Sequence, residues 1–304
     1  MSVLETVPQK PTTTPDLRLL VVHGQSLLEP GGAELSIRHH IKHAPARVSI
    51  QLILPDDHVD PGEFDVVLLG NLRPKGGLGE AAEFAWADSW SSRLQEYKGL
   101  VIRQEHDMHP CTYRDARCFS FSPFEKQTCN CNTKIRGAFE KLYNACSVIQ
   151  FVSPMQKSII NQLIEIHTRQ VTIAPPVDFG RFKSMTPFKQ REPVALVFTD
   201  SQRMSPNAAS LANDQGFDIR TEPYLSTPYS EMPALLNSVQ AVVLDPVIFH
   251  ACPRIAIEAE ACGCQVIASN KVGSSSWPEL LAASKRSNEE FWDLVVRGAR
   301  SLQH

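Results

Sequence analysis

Short apolar runs rich in Val, Leu and Ile recur along this chain, each separated from the next by a segment with helical spacing. No other feature limits the fold as strongly. "LRLLVVHG" (17–24), "VSIQLILP" (48–55), "FDVVLLG" (64–70) and "GLVIRQE" (99–105) read as buried strands. Between them, "GGAELSIRHHIKH" and "GLGEAAEFAWADSWSSRLQEY" repeat apolar residues at helical intervals, and "SVIQFVS", "PMQKSIINQLIEIH" and "QVTIAP" continue the series. Strand, helix, strand in this order builds a parallel sheet covered by helices on both faces. "PPVDFGRFKSMTPFKQREP" then interrupts with four prolines and no sustained apolar period, which reads as a linker. The alternation restarts with "VALVFTD", "SPNAASLAND", "FDIRT", "TPYSEMPALLNS", "QAVVLDP", "RIAIEAEACG" and "CQVIAS". Thr227 before Pro228 reads as a helix start, a cap followed by a first-turn proline. Gly263 reads as a helix stop. The chain closes on "NEEFWDLVVRGARSLQ", an amphipathic helix with Phe291, Leu294, Val295 and Ala299 along one face.

The expected architecture is therefore α/β, with two doubly wound domains facing a central cleft. The first spans 17–175 and carries a Cys-containing insertion near 108–132; the second spans 193–304; 176–192 link them and 1–16 form a disordered tail. At 304 residues both domains can bury a core of their own. Ligands of such folds sit at the carboxyl ends of the strands, here in the cleft. A net charge of −3 gives no global attraction to nucleic acid or to an anionic membrane. No apolar run approaches the ~18 residues of a membrane-spanning helix. The opening "MSVLETVPQKPTTTPD" has neither a basic start nor an apolar h-region, so no signal peptide is expected. The eight cysteines then read as free thiols in a reducing compartment, the cytoplasm by default.

Three segments carry chemistry. In "PGGAELS" (30–36), Gly31 and Gly32 let the backbone approach a phosphate or sugar with no Cβ in the way, although a plain turn before a helix also explains them. "FVSPMQKSIINQ" followed by "IAPPVDFGRF" (173–182) leads out of the first domain into the linker. "HACPRIAIEAEACGCQVIASNKVG" (250–273) reads as a helix leading into a strand. Its first turn near Arg254 would point free N–H groups and a positive dipole end into the cleft, which suits a diphosphate. Glu258, one turn further in, can accept hydrogen bonds from ribose hydroxyls; its bland alternative is a solvated helix carboxylate. Taken together and in order over about residues 17–280, these segments resemble a retaining GT-B glycosyltransferase of the large nucleotide-sugar-dependent, family 4-like group. The resemblance implies two Rossmann-like domains and transfer of a sugar from a nucleotide-sugar donor to a hydroxyl acceptor with retention of configuration. It implies no cofactor beyond the nucleotide-diphosphate sugar as co-substrate. The acceptor is a glycan, a lipid-linked molecule or a protein; peripheral contact with a membrane stays open, and nucleic acid is not an expected partner.

Set beside that family, the chain also shows departures. Where the family usually places a glutamate eight residues before its second one, this chain has His250, whose neutral ring offers one donor and one acceptor. Cys252-Pro253 stands where the family often has Phe-Gly, and Pro253 has no N–H to give. The diphosphate-holding arginine and lysine fall on Asp200 and Ser205, with Arg203 the nearest cation. Loss of such charge stabilisation bears on rate, since it is usually the largest catalytic contribution. The implied donor set is Gly31, Gly32, Arg203, Arg254 and Glu258, with His250 and Glu258 in catalytic positions. On the acceptor side, "RQEHDMHP" (103–110) offers His106 and Asp107, with a solvated loop as the alternative and a metal role for His106 and His109 less favoured. The departures also support a competing reading, a catalytically weak or inactive GT-B subunit that binds a nucleotide sugar or a partner protein. A sugar-nucleotide epimerase would share the fold but lacks an acid set here.

Cys111, Cys118, Cys129 and Cys131 lie within the insertion, spaced C-x6-C-x10-C-x-C. A structural zinc could staple such a segment, but the spacing is not that of a standard ribbon or finger. Unbonded thiols are the favoured reading, with zinc and disulfides behind it. Cys252, Cys262 and Cys264 read as small buried hydrophobes.

Overall fold

A computed structural model of the chain describes residues 16–27, 31–72, 79–111, 116–121, 124–128, 133–199, 207–223 and 226–302, with the side chains of 79–81 left out. The first half runs β1 (Leu17–Val22), α1 (Gly32–Lys42), β2 (Val48–Ile53), β3 (Val66–Leu69), α2 (Gly79–Arg93) and β4 (Leu100–Glu105). A small hairpin follows, β5 (Phe119–Phe121) and β6 (Phe124–Lys126), then α3 (Thr133–Asn144), β7 (Val148–Phe151), α4 (Pro154–Leu163) and β8 (Arg169–Thr172). The second half runs β9 (Glu192–Thr199), α5 (Ala208–Asp214), β10 (Asp218–Pro223), α6 (Met232–Ser238), β11 (Val239–Leu244), α7 (Arg254–Ala261), β12 (Gln265–Ala268) and α8 (Leu280–Ser301).

Two sheets result, in the orders β2-β1-β3-β4-β7-β8 and β10-β9-β11-β12, and every strand pair within them is parallel. Alternate residues of each strand serve different layers. Leu20, Val22, Val67, Leu69, Val101 and Ile149 pack with Trp90, Phe139 and Tyr143 of α2 and α3. Leu19, Val21, Leu68, Ile102 and Val148 pack with Ile37 of α1 and with Phe291 and Val295 of α8. Each order reverses direction once, between β1 and β3 in the first sheet and between β9 and β11 in the second. At such a reversal the flanking loops part and leave a crevice outside the strand ends.

The alternation in the sequence is thus realised as two parallel sheets. Three details differ from the pattern. "VSIQLILP" forms the edge strand β2, exposed at Gln51 and only half-buried at Ser49, Ile50 and Leu52. Thr227-Pro228 does not start a helix: Glu231 N–H donates to Pro228 C=O in a single turn, and α6 begins at Met232. Pro233 explains the delay. In a helix begun at Pro228 it would sit in the interior, where its ring clashes with the carbonyl four residues back; in α6 it occupies the first turn. Finally, α8 starts at Leu280, and its Phe291, Leu294, Val295 and Ala299 stripe packs on the first sheet rather than the second. Gly263, by contrast, ends α7 as read: φ is +83°, and Cys264 N–H reaches back to Ala259 C=O at 2.9 Å. Among the described residues, no helix is long and apolar enough to cross a membrane.

Candidate active site at the facing strand ends

At the reversal of the first sheet, His23 follows β1 and Gly70-Asn71 follow β3. The Asn71 backbone N–H donates to His23 Nδ1 at 3.0 Å, so the ring proton sits on Nε2, which donates to Glu34 Oε1 at 2.9 Å. Both side chains are buried. Glu34 belongs to the first turn of α1, where a carboxylate is favoured by the unpaired N–H groups and the dipole. It folds back over Gly31 so closely that a Cβ there would overlap its carboxylate. Gly31 therefore serves a local purpose, making room for the His23–Glu34 pair.

A second buried cluster sits beside the first at the end of β4. Arg103 Nη2 donates to Glu105 Oε2 at 3.0 Å, His109 Nδ1 lies 2.5 Å from Glu105 Oε1, and the Tyr143 hydroxyl donates to Glu105 Oε2. Burial alone would raise the Glu105 pKa, but His109 and Arg103 outweigh it and hold the carboxyl well below the usual range. Glu105 Oε1 also takes the Asp107 N–H at 2.8 Å, while the Gln156 amide donates to Asp107 C=O at 2.6 Å. The loop carrying His106 and Asp107 is thereby pinned at both backbone groups. His109 Nε2 lies 2.9 Å from Asn71 Oδ1, which joins this cluster to His23 and Glu34 in one continuous file of polar contacts. His106 Nε2 is buried and has no hydrogen-bond partner among the described residues. Burial, followed by the nearby His23, pushes its pKa well below the ordinary value, so the ring is neutral near pH 7.

In the second domain, α7 opens at Arg254 after Pro253. Glu258 is only 3% exposed. Its Oε1 accepts the Tyr229 hydroxyl at 2.7 Å and faces Arg254 Nη2 at 3.4 Å, while Oε2 takes part in neither contact. His250 pairs its backbone with the 271–273 segment: its N–H donates to Lys271 C=O at 3.0 Å and its C=O accepts from Gly273 N–H at 2.7 Å. Asp245 follows β11 at the reversal of the second sheet; it is 6% exposed, and its Oδ2 has no partner among the described residues. Asp200, Arg203 and Ser205 lie outside the described residues.

The two halves meet through Arg254. Its Nη1 donates to Ser36 Oγ at 3.3 Å and to Pro176 C=O, and Ser36 in turn donates to Gly32 C=O at 2.8 Å. Glu258, Arg254, Ser36 and Gly32 thus form one chain from α7 to the glycine loop. Three successive carbonyls at the domain crossing are held by second-half side chains, Ala174 by Ser287 at 2.5 Å, Pro175 by Ser284 at 2.6 Å and Pro176 by Arg254. The β5–β6 hairpin adds another bridge: Phe121 stacks on Phe249 with centroids 5.7 Å apart, and Asn270 donates to Phe121 C=O.

No protein-family model matches the sequence, and no curated protein matches it. Solved structures do. Anabaena HepE in complex with UDP-glucose superposes with a TM-score of 0.55 at 12% identity, over 95% of this chain and 98% of that one. Sucrose-phosphate synthase from Thermosynechococcus elongatus gives 0.55 at 12% identity, over 94% of both chains. An E. coli trehalose-6-phosphate structure bound with UDP-2-fluoro glucose gives 0.51 at 9%, over 94% of this chain and 97% of that one. The fold is GT-B.

In this GT-B chain, the cleft-facing strand ends bring together Gly31 and Gly32 with Arg254 and Glu258, through Ser36. His106 and Asp107 share the first-domain side with the file that ends at Glu34. The sequence pattern did not single out Tyr229, Asp245 or the His23–Glu34 pair. Glu34 lies inside the quoted "PGGAELS", and a carboxylate three residues after a cap is a visible signal; Tyr229 and Asp245 have none outside the fold. Cys111 and Cys118 are buried and not disulfide-bonded, and Cys129 and Cys131 lie outside the described residues. Among the described residues, no group of three or more His, Cys, Asp or Glu side chains is arranged to hold a metal ion.

Proposed function

We propose that the chain is a nucleotide-sugar-dependent glycosyltransferase that moves a sugar to a hydroxyl acceptor with retention of configuration. The observation that carries this reading is Glu258: a buried carboxylate one turn into α7, fixed through Oε1, with Oε2 in neither of these contacts, on a helix tied to the glycine loop. Such a group suits a ribose diol, and the N–H groups at the head of α7 suit the diphosphate beside it. The GT-B neighbours solved with UDP, UDP-glucose and UDP-2-fluoro glucose add support.

In this reading Glu258 orients the nucleotide, and His250 meets a donor-sugar hydroxyl in the family's glutamate position. His106, neutral and with no partner for Nε2 among the described residues, offers a hydrogen-bonding atom to the sugar from the first domain. Asp245 Oδ2 gains a donor from the bound ligand. Arg203 offsets the charge on the departing diphosphate, and the pinned 106–107 loop holds its geometry without reorganising. No protein base is required, because with retention the acceptor hydroxyl can pass its proton to the leaving phosphate on the same face.

A second reading, a nucleotide-sugar-binding subunit with little or no turnover, is favoured by one observation. Arg254, at the head of α7, commits both terminal nitrogens to Pro176, Ser36, Tyr229 and Glu258 rather than leaving them for phosphate. Release of free nucleoside diphosphate from UDP-, GDP-, ADP- and dTDP-sugars, with and without glycan acceptors, separates the two. Turnover with at least one donor is expected; tight binding with no release from any donor would select the second reading.

A further inference from the structure

Tyr229 lies in the loop before α6, outside every segment that marks the donor site in sequence, yet its hydroxyl reaches Glu258. The O–H donates to Glu258 Oε1 at 2.7 Å, a distance typical of a strong charge-assisted bond, and lies 3.4 Å from Arg254 Nη2. Tyr229 is itself held on three sides. The Arg181 guanidinium lies over its ring at 4.5 Å from the centroid, Arg181 also donates to the Tyr229 carbonyl, and the Phe182 ring stands 5.6 Å away. Burial, then the neighbouring Glu258, pushes its pKa up to about 12, so the phenol keeps its proton and stays the donor of this bond. A carboxylate gripped at Oε1 has its rotation about the Cγ–Cδ bond stopped and presents Oε2 in one direction.

We propose that Tyr229 is a positioning residue for the ribose end of the donor: it fixes the Glu258 carboxylate so that Oε2 meets the vicinal diol of the nucleoside. The residue touches Glu258 and acts on the ligand through it. This rests on the nucleotide-sugar reading and adds to it a specificity device, since the arrangement rewards a ligand only if it carries the diol. Arg181, which leaves the linker between the domains to clamp Tyr229, makes the grip independent of α7 itself.

Tyr229→Phe removes the hydroxyl and keeps the ring under Arg181. Calorimetry on the full chain would compare the tightest binder among UDP, GDP and ADP with its 2′,3′-dideoxy analogue, in wild type, Tyr229→Phe and Glu258→Gln, with melting temperatures measured in parallel. Wild type should prefer the diol ligand. Tyr229→Phe should weaken it about tenfold while leaving the dideoxy analogue unchanged. Equal affinity of wild type and Tyr229→Phe for the diol ligand overturns the proposal and leaves the Glu258 assignment standing if Glu258→Gln weakens binding. Equal weakening of both ligands in Tyr229→Phe also overturns it, because that is the signature of a merely structural hydroxyl. If wild type binds diol and dideoxy ligands alike, or binds no nucleotide, the Glu258 reading itself fails and the role of Tyr229 falls with it.

Discussion

Glu34 and Glu258 face the same physical problem, a carboxylate placed almost out of reach of water, and solve it with different partners. Glu34 is held by a neutral imidazole whose tautomer is set by a backbone N–H. Glu258 is held by a phenol and a guanidinium. In both cases removing one partner leaves an uncompensated buried group, which costs about 1–3 kcal/mol for a neutral partner and more for a charged one. Gly31 depends on this arrangement, since a methyl group there displaces the Glu34 carboxylate from His23. Gly31→Ala should therefore lower stability by about 1–3 kcal/mol, and in a Glu34→Ala background most of that cost should vanish, because the obstructing carboxylate is gone. Denaturant unfolding of the two single variants and the double variant measures the coupling. A Gly31→Ala cost that persists unchanged in the double variant would mean that the glycine is needed for backbone reasons instead.

At the scale of elements, α1 and α8 form a seam built on histidine. His40 stacks on Phe291 with centroids 4.1 Å apart, its Nδ1 lies 2.9 Å from Asn288 Oδ1, and the Trp292 indole donates to the His40 carbonyl at 3.0 Å. Burial holds the His40 pKa down to about 3, with Asn288 raising it and His39, Arg254 and His43 lowering it further. His39 is likewise lowered by burial to about 4, with Asn288 raising it, His43 and Arg254 lowering it and Asp178 raising it. The sign follows directly. Between about pH 3 and the ordinary value of 6.5, the unfolded chain binds a proton at residue 40 that the folded chain refuses, so stability falls as pH drops through that window. Melting temperatures from pH 7 to 4 should decline, and the decline should be shallower in His40→Asn; parallel curves would remove His40 from the acid response. Much of this element-level structure was legible beforehand. Gly263 closed α7 where a helix stop was read, and the Phe291, Leu294, Val295 and Ala299 stripe was visible as a stripe. What that stripe covers was not legible, because periodicity reports that a face is apolar and says nothing of which sheet lies opposite. Thr227-Pro228 misled for a related reason: a cap and a first-turn proline are local signals, and Pro233 downstream decides the start.

For the whole molecule, the arrangement of two parallel sheets followed from the repeated alternation, whereas the meeting of their strand ends depends on contacts far apart in sequence. Arg254 and Ser36 are separated by 218 positions, and Tyr229 and Glu258 by 29. No local pattern encodes such pairs, which is why the sequence marked Glu258 and Arg254 individually but not the chain that joins them to Gly32. The domain crossing is fixed by Ser287, Ser284 and Arg254 on three consecutive carbonyls, so α7 and the crossing share a residue. A ligand engaging Glu258 therefore acts where the halves are joined. The claim that this cleft binds a nucleotide sugar through Glu258 is tested most directly by titrating wild type and Glu258→Gln with UDP-, GDP-, ADP- and dTDP-sugars in a calorimeter. One molecule of at least one donor should bind each wild-type chain, and Glu258→Gln should bind it about tenfold more weakly. No measurable binding of any nucleotide sugar or nucleoside diphosphate to wild type, or equal affinity in the variant, would contradict the account.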